Sequence, residues 1–591
     1  DCGAIRDFHM KNCHGVSETP SIAAGTAIIA GTDVECGSVY KNIPEALKNG
    51  EVTMEAIDRS LKRLLVGRII LGDFDPDHLV PWTKIPESRL CSKENRNLAY
   101  EMAQKSIVLL QNKNSILPLK KNGVKIAVMG PNAADSVMQW GNYSGYPKET
   151  VTILQGIEKK LAGCGTVKYI GGSGHVSNLV NISHFGELTT PDGKPGMEAT
   201  YWNNITMDGE PVAKKIHTSP IKLNNGGNTV FAPGVELENF SGCFKATFTP
   251  KEAGEITLSL EADDGYRFIV NGDTLRDRFR QAHGVQKQSK TYKVKPGQKY
   301  DIQIDFIQLF GMAHMQFDIY HKQEMSQQEI INQIGDADYV VFVGGISPSL
   351  EGEEMKVDAY GFKGGDRTDI QLPQCQRDLI KAIHDAGKKV IYVNCSGSAI
   401  ALVPETETCE AIMQAWYPGE KGGDAVADVI FGDYNPSGKL PITFYRSVED
   451  LPDFLDYTMK NRTYRYFNGN PLWHFGYGMS YTSFEFGKPK YKQGKLTVDV
   501  KNSGKFDGDE VVQVYIRRID DVNGPIKTLK AFKRITLKAG EKQNICIDMP
   551  RESFEVWDAE TNTMRVVSGK YEVMVGNSSR AEDLKTITVK I

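Results

Sequence analysis

The 591 residues carry 70 Lys and Arg against 74 Asp and Glu, a formal charge of -4, with 40% apolar and 24% charged side chains. That balance is ordinary for globular protein and offers no net field to hold nucleic acid or a membrane surface. The length exceeds one hydrophobic core and predicts roughly three to five domains, while ten cysteines spread so thinly define neither a disulfide scaffold nor a redox compartment.

The chain opens on Asp1-Cys2-Gly3-Ala4-Ile5. This is an odd place for a domain to begin, so an export signal and further sequence are expected upstream. No apolar run reaches transmembrane length. Small and apolar residues predict a helix over Ser21–Ala30, and 31–37, Gly-Thr-Asp-Val-Glu-Cys-Gly, reads as a short strand running into a loop. An amphipathic helix is predicted over Glu55–Leu71, with Ile57, Leu61, Leu64 and Leu65 on a side that should pack against something. Together these suit the end of an α/β barrel, residues 1–75.

A polar stretch with Pro76, Pro81 and Pro86 then reads as a linker. It leads to a second amphipathic helix over Asn95–Leu110, so that 76–120 form a linker and entry helix. Apolar strands are predicted at Lys125–Gly130, Tyr339–Gly344 and Lys389–Val393, with a helix over Gln376–Ala386. Such alternation indicates a sheet covered on both faces, an α/β domain over 121–185 and 326–450. Alternating runs such as Ile256–Leu260 and Tyr300–Phe306 mark a β domain inserted at 186–325. An aromatic, Gly- and Pro-containing stretch over 451–483 reads as a linking segment packed between domains, and 484–591 as an all-β sandwich.

Three carboxylates crowd together in Glu351-Gly352-Glu353-Glu354, just beyond an apolar strand. Loops at such strand ends are where α/β sheets bind ligands, and crowded carboxylates raise one another's pKa toward that of a general acid. From these residues alone a solvated acidic loop is the simpler reading, and Asp1 is an ordinary terminal residue. Gly171-Gly172-Ser173-Gly174 and 363–366 match no nucleotide-binding fingerprint, and His14, His314 and His474 have no metal-ligand spacing. Neither a cofactor nor a metal is expected.

Several segments nevertheless resemble glycoside hydrolase family 3, whose members are exo-acting β-glucosidases, β-xylosidases and related glycosidases. The most specific are 416–423, Trp-Tyr-Pro-Gly-Glu-Lys-Gly-Gly, and 427–441, ending Asn-Pro-Ser-Gly-Lys-Leu-Pro. Asp1–Ile5, 30–37, 103–119 and 475–481 resemble the family's successive landmarks. The resemblance implies a multidomain α/β plus β protein: the C-terminal remnant of a TIM-like barrel, an α/β sandwich interrupted by a β domain, and a fibronectin-III-like β-sandwich. The insert resembles a PA14 module, through 198–202 and 263–268.

The resemblance also assigns roles. Asp1 stands where the family has its nucleophile, after the seventh barrel strand. Glu353 stands where it has the general acid/base, before Gly365-Asp366-Arg367, with Glu351 or Glu354 as fallback. A retaining mechanism needs two such carboxyl groups roughly 5 Å apart. Cysteine directly after the aspartate, and again in the Ala-Gly-Thr-Asp-x-x-Cys-Gly segment, is similar to the xylosidase branch. Cys2 and Cys36 are expected to be neighbours that crowd the space a glucose hydroxymethyl group would need; buried free cysteines that merely pack are the alternative. The expected activity is release of terminal β-linked xylose from xylo-oligosaccharides, with β-glucosidase or a non-catalytic carbohydrate-binding protein as alternatives. A secreted or periplasmic location is expected, homo-oligomerisation is left open, and the chain reads as part of a longer protein because, with Asp1 at the seventh of eight strands as the resemblance implies, a barrel cannot close on its last strands alone.

Overall fold

The computed structural model describes residues 2–145, 147–224, 230–279, 285–311, 313–352, 357–364 and 366–591. Asp1, Glu353, Glu354 and Gly365 lie outside the described residues. The chain divides into two compact units, Asp1–Ser92 and Lys93–Ile591.

The first unit is helical. Thr19 caps the helix Pro20–Ala30 by accepting from the Ile22 N–H, Pro20 supplies a preset φ at its first position, and Gly31 at φ 99° ends it. The alanines 23, 24 and 27 of this helix pack with Ile5 and Val39, and Ile28 packs with Ala46, Val52 and Ala56. Two sequence expectations are corrected here. Residues 31–37 form a loop, because no strand is present to pair with them among the described residues of this unit; instead the Glu35 carboxylate accepts the Val39 and Tyr40 N–H groups at 2.9 and 2.6 Å. The helix Met54–Leu71 forms, but its buried residues are Ala56 and Ser60, whereas Leu61, Leu64 and Leu65 are exposed.

In the second unit, six strands among the described residues form one sheet. Their order is Val108–Asn112, Ala411–Gln414, Lys389–Cys395, Tyr339–Gly345, Lys125–Met129 and Thr166–Ile170. All neighbours are parallel except the first pair. Val340, Val341, Phe342 and Val343 are fully buried because the sheet is covered on both faces, each such side chain contributing about 1.5–3 kcal/mol. One face meets the helices Ile153–Leu161 and Gly422–Phe431, the other Gln327–Ile334 and Gln374–Asp385. The entry helix is shorter than its sequence suggests. It runs over Lys93–Ser106, and the apolar run that follows becomes the antiparallel edge strand Val108–Asn112.

The inserted β domain consists of two sheets that share one aromatic core, including Phe240, Phe244, Phe268, Phe306 and Phe317. Its pairing reaches upstream of 186, since Leu179–Ser183 pairs with His314–Glu324. The C-terminal sandwich packs two four-stranded sheets around Val498, Val512, Val514, Val573 and their neighbours. Residues 451–483 join the domains as irregular, aromatic chain. Trp473 packs edge-on against Phe444 with centroids 5.9 Å apart, and Tyr464 stacks on Phe475 at 4.1 Å.

Candidate active site

The acidic loop leaves the sheet at Gly345, whose φ of 103° turns the chain away from the strand. A side chain there would meet both strain and the Cys395 carbonyl, 2.2 Å from the position of a Cβ. Buried amides fix this exit. Gln376 accepts the Gly345 N–H at 2.9 Å and donates to the Gly345 carbonyl at 2.7 Å. Asn132 donates to the carbonyls of Gly344 and Ile346 at 2.9 and 3.1 Å. The Asn132 carbonyl oxygen faces His175 Nε2 at 2.7 Å. Burial lowers the pKa of His175, so the neutral ring must carry its proton on Nε2 to make that bond.

Beyond the exit, the N–H groups of Leu350 and Glu351 both bond to the Ser347 carbonyl, at 2.9 and 3.1 Å, closing a tight turn. This turn aims the Glu351 side chain at another strand-end loop. Its Oε1 accepts the Gly397 N–H at 2.7 Å, its Oε2 accepts the Ser398 hydroxyl at 2.7 Å, and the Tyr417 hydroxyl closes a short bond onto Oε1. Burial first, then the nearby Glu351 charge, holds the Tyr417 pKa far above its ordinary value. The phenol therefore stays protonated and donates.

The far end of the same loop is tied to the same place. Arg367 donates to the Asp369 and Gln371 carbonyls at 3.0 and 3.1 Å and reaches the Ser398 hydroxyl at 3.4 Å, with its guanidinium over Phe362. Burial pulls its pKa down, while Glu351 and Asp369 oppose that shift. Both described ends of the loop are thus anchored at Ser398.

Of the residues singled out in the sequence, Glu351 is a fully engaged acceptor, and Glu353, Glu354 and Asp1 fall outside the described residues. Cys2 and Cys36 are neighbours, but as a disulfide with Cα atoms 4.5 Å apart, and both residues are exposed. The reading of them as buried free thiols is corrected. Sequence reasoning did not connect Gly397, Ser398 and Tyr417 to the acidic loop. Only Tyr417 carried a signal, as part of an aromatic motif. Among the described residues no three His, Cys, Asp or Glu side chains gather in a way that could hold a metal, and no helix is long and apolar enough to cross a membrane.

The fold and site define a multidomain protein in which a two-face-covered α/β domain presents an anchored acidic loop at its strand ends and is followed by a β-sandwich. Comparison with known proteins gives the family. The family model described as "Glycosyl hydrolase family 3 C-terminal domain" matches residues 107–481, and a "Fibronectin type III-like domain" model matches 510–579. The chain belongs to glycoside hydrolase family 3, enzymes that act on O-glycosyl bonds.

Among its relatives is a protein of Xylanibacter ruminicola named xylan 1,4-beta-xylosidase. It is 47% identical over 605 aligned residues, covering 100% of this chain and 69% of the relative. A periplasmic beta-glucosidase of Salmonella typhimurium is 29% identical over 98% of this chain and 61% of its own length. The chain therefore spans between three fifths and seven tenths of these relatives. Among solved structures, a beta-glucosidase from Kluyveromyces marxianus in complex with glucose superposes with a TM-score of 0.69 at 27% identity, over 93% of this chain and 69% of that one.

Proposed function

We propose that the protein is an exo-acting retaining β-glycosidase that releases terminal, non-reducing β-linked xylose from xylo-oligosaccharides by double displacement. The observation that carries the sugar is the 47% identity to the xylan 1,4-beta-xylosidase, which extends over the whole of this chain. In this reading Asp1 attacks the anomeric carbon to form a covalent glycosyl-enzyme. Glu353 protonates the leaving oxygen and then, as a base, activates the water that hydrolyses the intermediate.

The environment of Glu351 supports the choice of Glu353. A general acid needs a proton-bearing oxygen directed at the leaving group, and both oxygens of Glu351 are already acceptors within the protein. Glu354 is the remaining fallback. The Cys2–Cys36 disulfide would wall the sugar pocket where glucose carries its hydroxymethyl group. It also fits a secreted or periplasmic location, since disulfides persist in oxidising compartments. The two-sheet insert is in this reading a PA14-type module.

A second reading, β-glucosidase, is favoured by the Salmonella typhimurium and Kluyveromyces marxianus relatives. Release of the aryl group from matched β-xyloside and β-glucoside substrates by the full-length protein separates the two. Faster xyloside turnover, abolished by Asp1→Asn, supports the proposal. Faster glucoside turnover selects the second reading, and no turnover of either points to a carbohydrate-binding protein.

A further inference from the structure

A cleft with no part in this chemistry lies between the middle of the linking segment and the C-terminal sandwich, enclosing about 440 Å³. That volume falls within the range of small-ligand sites. Four cationic side chains line it, Arg465, Arg517, Arg518 and Lys530, against two carboxylates, Asp521 and Glu555. Of the four, Arg517 has a carboxylate nearby, Glu572 at 4.0 Å. Arg465 and Arg518 have none within ion-pair distance among the described residues, and the Nε of each is shielded from solvent without an acceptor. Lys530 donates to the backbone carbonyl of Glu555 at 2.6 Å, and burial lowers its pKa. Arg465 and Arg518 thus bring positive charge to the cleft wall without a carboxylate partner, the Arg465 guanidinium lying over the Tyr466 ring, and an anion entering the cleft would be attracted to them.

The apolar part of the lining narrows the kind of anion. Trp557 is 55% exposed and Met564 52%, both in the same cleft as Tyr466. Exposed aromatic faces with a polar rim suit a ring that is apolar on its face and polar at its edge. An inorganic anion would leave these surfaces unused, and an acidic peptide has no hydroxyl-edged ring to lay on the indole. We propose that this cleft binds a carboxylate-bearing saccharide, a uronic acid carried on an oligosaccharide, with its ring against Trp557 and its carboxylate on Arg465 and Arg518. Planar guanidinium forks match a carboxylate in two parallel hydrogen bonds. The proposal is independent of the assignment of Asp1 and Glu353.

The test is equilibrium binding of a glucuronic-acid-substituted, S-linked and therefore non-hydrolysable xylo-oligosaccharide to the full-length protein, with the unsubstituted oligosaccharide, sulfate and an oligoglutamate peptide alongside. We expect the acidic saccharide to bind at least tenfold more weakly to both Arg518→Glu and Trp557→Ala, and more weakly as salt is raised. Any binding of the neutral oligosaccharide should be indifferent to both substitutions, and aryl-glycoside turnover should be unchanged. Trp557 is a surface residue, so its variant keeps the test sound if the arginine variant folds poorly. Acidic-saccharide binding that ignores both substitutions overturns the proposal. So does displacement by equimolar sulfate with no effect of Trp557→Ala, which would mark a general anion patch, or oligoglutamate binding more tightly than the saccharide.

Discussion

The Tyr417 hydroxyl donates to the Glu351 carboxylate, joining two strand-end loops whose residues are 66 positions apart in the chain. Gly397 and Ser398 complete the arrangement from 46 and 47 positions away. A carboxylate two positions before the proposed acid/base in the sequence is therefore held by three donors from outside its own loop.

Removing the phenol hydroxyl should cost stability and alignment together. A hydrogen bond to a charged group contributes about 1.5–3 kcal/mol, so Tyr417→Phe should lower the unfolding free energy by about that amount in chemical denaturation. Its kcat/KM should fall further on xylobiose, whose leaving group needs protonation, than on an activated aryl xyloside. Equal losses on both substrates would mean that the bond stabilises the loop without serving the acid.

The two glutamates should separate by the same comparison. Glu353→Gln is expected to lose about 10²–10⁴-fold in rate on xylobiose, with a much smaller loss on an aryl xyloside of low leaving-group pKa, and the alkaline limb of its pH profile should disappear. Glu351→Gln should lower activity while retaining that limb. The opposite pattern would transfer the acid/base role to Glu351.

Acid should weaken the inserted domain through His217, whose pKa is pushed down to about 4 chiefly by burial, with Lys215 adding to the effect. Between the ordinary value of 6.5 and about 4 the unfolded chain binds a proton that the folded one does not. Stability is therefore retained above pH 6.5 and declines as pH falls through that window. Thermal unfolding at pH 6.5 and 4.5 should show a drop for the native protein and a smaller drop for His217→Asn. Identical drops would assign the acid sensitivity to other groups.

The disulfide closes a separation of 34 residues, a loop whose cross-link stabilises the folded state by about 3–4 kcal/mol on the chain-entropy account. Cys36→Ser, or reduction, should lower the unfolding temperature of the helical unit. If the disulfide excludes the glucose hydroxymethyl group, its loss should also reduce the preference for xyloside over glucoside. A lower unfolding temperature with an unchanged preference would leave the disulfide a purely structural role.

The fold was most legible where a physical pattern was local and complete. Tyr339–Gly345 and Lys389–Cys395 are apolar along their length because both faces of their sheet are covered, and glycine or polar residues mark their ends. At Ile107–Leu110 the same apolar character misled. A short buried run continues a helix as readily as it forms a strand, and its antiparallel partner, Ala411–Gln414, lies three hundred residues away. Leu179–Ser183 is likewise defined by pairing with His314–Glu324. The acidic loop was visible as a cluster, but nothing near it in sequence names Ser398 or Tyr417 as its partners. Cys2 and Cys36 were readable as neighbours only through the family resemblance, because two cysteines among ten carry no pairing information by themselves.

The central claim is most directly tested by covalent trapping. The full-length protein, incubated with a 2-deoxy-2-fluoro-β-xyloside bearing a good leaving group and then digested, should yield by mass spectrometry one peptide carrying the fluoroxylosyl group, with the modification on Asp1. A label on another carboxylate, or turnover of xylosides with no covalent adduct, would contradict the account.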